Sequence, residues 1–164
     1  MSRNVIQFVI LFFVLILAQA ICSKICLFNV AVPIIFIYFI IRLPLNIGIN
    51  WMMTIAFFLG LTIDIFNNTQ GMNTMACVVL AAVRRTIFRL YFPREDDLSD
   101  TIPSINSLGV SVFFRYMSTL TFLYCTLLFT IQAFSVLNIG LTIQRIIASS
   151  ILSTILILGI DSLS

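Results

Sequence analysis

Residues 77–94 read CVVLAAVRRTIFRLYFPR. An apolar run stops at Arg84-Arg85, and Arg89 and Arg94 follow within the next turns. Cationic residues cluster nowhere else in the chain. In a chain this hydrophobic, such a cluster resists translocation and fixes the bilayer face on which its loop lies. Arg84, Arg85, Arg89 and Arg94 are therefore the expected topology determinants, and the rest of the topology follows by counting spans outward from them.

The composition demands a bilayer. Of 164 residues, 61% are hydrophobic and only 9% are charged. A soluble globular domain carries roughly 25% charged residues. So few charges cannot cover a water-exposed surface, and the expected class is an all-α integral membrane protein forming one transmembrane domain over residues 1–164. The net charge of +3 forms no basic stripe interleaved with exposed aromatics, which argues against nucleic-acid binding. Histidine is absent, which removes the commonest metal ligand and general base. Cys77 and Cys125 lie in apolar runs and read as small hydrophobes. Cys22 and Cys26 could share a helix face, but they have no neighbouring His or further Cys to complete a metal site. No metal and no cofactor is expected.

Six apolar stretches have spanning character, at about residues 5–21, 25–41, 47–66, 71–91, 110–134 and 140–160. The first ends in Ala18-Gln19-Ala20, which has the form of a signal-peptidase site; its long apolar run argues for retention as a true helix. The second contains Pro33, where a kink is expected if neighbouring helices satisfy the freed carbonyl. The fourth is strictly apolar only to Val83, and its arginines would snorkel to the headgroups from the last turns. Residues 93–109, PREDDLSDTIPSINSLG, form the only substantial hydrophilic loop. Placing this loop in the cytoplasm puts both termini, Arg3 and Arg42 on the same side, with only Lys24 outside. The six-span bundle is thus expected to have both termini cytoplasmic.

The third and fourth spans carry the most specific pattern. Leu43-Pro44-Leu45 leads into Phe58-Leu59-Gly60-Leu61-Thr62-Ile63-Asp64-Ile65-Phe66, then a polar linker, Gly71 and an apolar run closing at Arg84-Arg85. This resembles the rod shape-determining protein MreD family in its Gly-Leu-x-x-Asp helix end, its linker glycine, its small size and its crowded spans. The resemblance is best over residues 43–85. It implies a non-enzymatic subunit of the elongation machinery that works with MreC, MreB and the RodA–transpeptidase pair in lateral peptidoglycan synthesis. That family is also similar in fold to the substrate-binding subunits of energy-coupling-factor transporters, so a vitamin-binding transporter subunit is the alternative.

Four residues stand out as partner or structural candidates: Gly60, Asp64, Gly71 and Arg145. Gly60 and Asp64 are four apart and share a helix face. Gly60 would admit a close helix, of this chain or of a partner. Asp64 would either anchor a partner or loop, or simply reach interfacial water. Arg145 lies inside the sixth span, where the positive-inside pattern gives it no reason to be. An Asp64–Arg145 ion pair is therefore expected, because each is awkward alone in a membrane, with Lys24 as a rival partner for Asp64. Arg115 reads as a snorkelling residue. Ser149, Ser150, Ser153 and Thr154 suit close helix packing. No nucleophile–base pair and no intramembrane carboxylate pair is present, so no enzyme activity is expected.

Overall fold

A computed structural model describes residues 2–22, 33–44, 47–91, 103, 109–133 and 139–163, and every structural statement below concerns these. They form six helices and no strand: α1 (Ser2–Cys22), α2 (Ile37–Arg42), α3 (Ile49–Asn67), α4 (Met72–Tyr91), α5 (Val110–Ala133) and α6 (Ile139–Leu163). The all-helical class agrees with the sequence. By length and composition, Ile49–Asn67, Val110–Gln132 and Gly140–Ser162 are long and apolar enough to cross a membrane. The apolar part of α1, Ile6–Cys22, is shorter, and α4 carries Arg84, Arg85 and Arg89 within its 20 residues.

Each long helix buries one stripe. In α3 the buried residues are Met52, Ala56, Leu59, Gly60, Ile63 and Asp64, which recur at three- and four-residue steps. In α5 the stripe runs Phe113, Tyr116, Met117, Leu120, Tyr124, Cys125, Leu128. The opposite faces are equally apolar: Ile6, Ile10, Phe13 and Leu17 of α1 and Ile147, Ile151 and Ile155 of α6 are exposed. A helix that is apolar all round has hydrocarbon as its second environment.

Side-chain contacts give the chain direction of every helix. Phe8 and Phe12 of α1 pack on Phe39, while Gln19 meets Pro33 and Ile35, so α1 and α2 are antiparallel. Ser153 meets Ile34 and Asp161 meets Tyr38, so α2 and α6 run the same way. Asn73 meets Tyr124 and Arg84 meets Tyr116, so α4 and α5 are antiparallel. Phe36 packs on Tyr124, and Arg84 links Ile41 to Tyr116, so α2 opposes α5. A short turn reverses α3 into α4. Thus α1, α3 and α5 point one way, and α2, α4 and α6 the other.

The second apolar stretch departs from expectation. It was expected as one continuous span over 25–41, kinked at Pro33. Residues 33–36 are not helical, and the helix covers only Ile37–Arg42; residues 25–32 lie outside the described set. Pro33 has no N–H to donate into a helix. The resulting non-helical stretch is fully buried, as are Ile37–Ile41. Irregular backbone at membrane depth persists only where protein covers it and its polar groups find partners. Here Gln19 does both tasks: its Nε2 donates to the Pro33 carbonyl (3.0 Å) and its Oε1 accepts from the Ile35 N–H (2.8 Å). Ser153 Oγ accepts from the Ile34 N–H at 2.9 Å.

Candidate functional site

The residues that carry chemistry fall into two polar layers at opposite ends of the bundle. The first forms where α3 turns into α4. Asn68 adopts the left-handed conformation at φ 53°, and Gly71 follows at φ 77°. Gly71 costs little there because it has no Cβ. α4 then starts with its first backbone N–H groups unsatisfied within the helix. Asp64, one turn from the end of α3, supplies the cap from outside. Its Oδ1 accepts from the Asn73 N–H (3.1 Å) and Asn73 Nδ2 (2.9 Å), and its Oδ2 accepts from the Thr74 N–H (2.8 Å) and Thr74 Oγ1 (2.6 Å). Thr69 Oγ1 also donates to Oδ1. The carboxylate is only 4% exposed. A negative charge at a helix N-terminus is favourable, and more so where water is excluded. Tyr124 extends the network by donating to Asn73 Oδ1 at 2.7 Å, which ties α5 to the same corner.

Gly60 makes this cap possible. A Cβ placed on it would lie 2.5 Å from Thr74 Cα, 2.9 Å from Thr74 N and 3.0 Å from Asn73 O. The α3 backbone therefore touches the α4 backbone at the residues that Asp64 caps. The expectation that Gly60 admits a close helix is met, and that helix is α4 of the same chain rather than a partner.

The expected Asp64–Arg145 ion pair does not form. The Asp64 oxygens are occupied by α4 and the turn, and Arg145 is exposed on α6 without a hydrogen bond or ion pair to it. The reason is local: five donors lie within ten residues of Asp64 in sequence, and a capping geometry brings them all in at once. Lys24, the rival partner, lies outside the described residues.

The second layer lies at the other end. Arg84 is 0% exposed. Its Nε donates to Tyr116 Oη (3.0 Å), one Nη to the carbonyls of Ile41 (2.9 Å) and Leu43, and the other faces Met52 Sδ (3.6 Å). This corrects the expectation that Arg84 snorkels to the headgroups from the end of its span. The fork geometry of the guanidinium suits it to the open carbonyls at the end of α2, which have no helical partner. Arg85 and Arg89 are exposed on α4, and Arg94 lies outside the described set. Beside Arg84, Tyr38 Oη donates to Asp161 Oδ1 (2.7 Å) and accepts from Arg42 Nη1 (2.6 Å), and Arg42 and Asp161 form an ion pair at 3.4 Å. This triad joins the ends of α2 and α6.

Sequence reasoning singled out Gly60, Asp64, Gly71 and Arg84 but missed Gln19, Tyr38, Asn73, Tyr124 and Asp161. Asn73-Thr74 directly after a turn glycine is a helix-start signal and could have marked the Asp64 acceptor site. Asp161 lies one residue past the expected end of the sixth span, opposite Arg42 at the end of the second, and equal depth was the available clue. On the flank of the bundle, a cleft of about 430 Å³ separates α5 from α6, lined by Phe114, Ser118, Phe122, Ile151, Thr154 and Ile155.

Both layers bind helix ends together. Asp64→Asn tests the first layer. An amide offers one acceptor oxygen where the carboxylate offers two, so either Asn73 or Thr74 loses its partner. The expected cost is about 2 kcal/mol, seen as a lower thermal midpoint in detergent, with helical content at low temperature retained. An unchanged midpoint would mean that the cap contributes nothing.

No protein-family model, curated protein or solved structure matches this chain.

Proposed function

We infer that this chain is a six-span, non-enzymatic membrane subunit of the MreD type, which helps to assemble and position lateral peptidoglycan synthesis with MreC. The observation that carries the reading is the α3–α4 hairpin. The residues of the MreD-like pattern, Gly60, Asp64 and Gly71, serve a single local purpose in it: backbone contact, cap and turn. The strict alternation of helix direction supports six crossings, with α1, α4 and the apolar segment that ends in α2 joining the three longer apolar helices. Such a bundle is similar in kind to the substrate-binding subunits of energy-coupling-factor transporters. Its inner end, by the arginine count, holds Arg42, Arg84, Arg85, Arg89 and Asp161, with both termini cytoplasmic in the bacterial inner membrane.

A scaffold role fits the internal chemistry. The buried polar groups hold the helices in one arrangement, and the outer faces are largely apolar, which leaves packing as the means of gripping a partner's transmembrane helix. MreC is the expected direct partner, with MreB and the RodA–transpeptidase pair in the wider complex.

Affinity purification from native membranes tests this. The protein should bring down an MreC-type partner with one span and a coiled coil, and no small ligand. Recovery of a bound vitamin together with a transporter ATPase module would overturn the reading in favour of a transporter subunit.

A further inference from the structure

Two polar side chains on α6 have no place in either layer. Gln144 and Arg145 are adjacent, both are exposed, and among the described residues neither has a hydrogen bond or ion pair. They lie inside the apolar stretch Gly140–Ser162. A guanidinium and an amide without acceptors are costly in hydrocarbon, so something outside the chain must supply oxygen atoms.

Depth identifies the supplier. The Asp161–Arg42 pair, with the Arg42 side chain 22% exposed, marks one boundary of the bundle. From Asp161 back to Arg145 is about 24 Å of helix at about 1.5 Å per residue. The hydrocarbon core is about 30 Å thick, so Arg145 starts just inside the opposite boundary. Helical side chains tilt toward the helix N-terminus, which here points outward, and a long arginine follows that direction to the headgroup level. A phosphodiester is the anion present at that level, and a guanidinium matches its oxygens with two parallel hydrogen bonds.

We propose that Gln144 and Arg145 form a binding site for the phosphodiester of an anionic phospholipid, in the leaflet opposite the Arg84 layer. Arg145 holds the phosphate and Gln144 donates to the glycerol ester region. The lipid then fixes the depth of α6 at the end where no ion pair does so. The proposal rests on α6 crossing the bilayer and is independent of the assembly role, so its failure would leave that role standing.

The test is native mass spectrometry of the full chain, released from mixed micelles containing phosphatidylglycerol. Arg145→Gln should retain phosphatidylglycerol about tenfold less well than the unaltered protein, with an unchanged thermal midpoint in lipid-free detergent. Arg145→Lys should keep part of the binding, and Gln144→Leu should lose a smaller share. The unaltered protein should retain diacylglycerol, which lacks the phosphate, about tenfold less well than phosphatidylglycerol; this comparison needs no variant, and equal retention of the two lipids would overturn the proposal. Equal retention of phosphatidylglycerol by Arg145→Gln would overturn the proposal. So would displacement of the lipid by millimolar inorganic phosphate, which would mark a soluble-anion site. Loss of a copurifying protein with lipid retention unchanged would also overturn it, since a partner helix would then be the occupant.

Discussion

Gly60→Ala removes most of the folded protein from the membrane, while Gly159→Ala leaves its amount unchanged. A single methyl is enough at the first site because it meets backbone. The added carbon would stand 2.5 Å from Thr74 Cα and 3.0 Å from Asn73 O, and neither atom can move without moving α4. α3 and α4 must then separate, and the separation pulls Asp64, four residues beyond Gly60, away from the Asn73 and Thr74 donors. Overpacking alone costs about 1–3 kcal/mol. Loss of the cap adds about 2 kcal/mol. The sum is a large share of the total stability of a domain. At Gly159 nothing lies within 4 Å of an added Cβ, and alanine is the better helix former. Membrane abundance and the thermal midpoint in detergent, measured for both variants, check the pair. Equal behaviour of the two would show that the α3–α4 backbone contact is not the constraint. If Gly60→Ala were instead abundant but unable to hold its partner, the glycine would belong to an assembly surface.

Arg84→Ala is the second variant expected to have a large effect. Arg84 is among the largest fully buried side chains in the protein, and its removal leaves a cavity at the junction of α2, α4 and α5. It also strips the Ile41 and Leu43 carbonyls and Tyr116 Oη of their donor. A large-to-small change in a core costs about 2–5 kcal/mol, and each orphaned polar group about 1–3 kcal/mol. Recovered desolvation energy of the guanidinium offsets part of this. The net expectation is a loss of about 3–5 kcal/mol. Arg84→Lys recovers little, because an ammonium cannot reach two carbonyls and a phenol from one point. Arg85→Lys, on the exposed face of the same helix, should be neutral in the same thermal melt. If Arg84→Lys proved as stable as the unaltered protein, charge rather than fork geometry would account for the residue.

The helices were readable because their apolar lengths and turn residues are properties of contiguous sequence. Asn67-Asn68 and Gly71 mark the α3–α4 turn, and the stripe through Ala56, Leu59 and Ile63 follows from helical spacing. What sequence spacing could not give is which side chain meets which. Asp64 and Arg145 have matching depths and opposite charge, yet Asp64 is satisfied by neighbours that become donors only when α4 begins. Arg84 and Arg85 are the same residue type at adjacent positions, and a rotation of 100° along the helix puts one in the core and the other outside. The break at Pro33 was readable as a kink. The non-helical course of residues 33–36 depended on Gln19 and Ser153, which lie far away in sequence and bond the Pro33 carbonyl and the Ile34 and Ile35 N–H groups.

The account rests on α3 and α4 crossing the bilayer completely, with the Asp64 layer at the outer face and the Arg84 layer at the inner one. Thiol labelling of intact cells with a membrane-impermeant reagent tests this directly, using single cysteines in a cysteine-free protein. Gln70→Cys, in the α3–α4 turn, should react from outside, and Ser99→Cys, in the loop after the arginine cluster, should react only once the membrane is opened. Reaction of Ser99→Cys in intact cells, or protection of both sites, would contradict it.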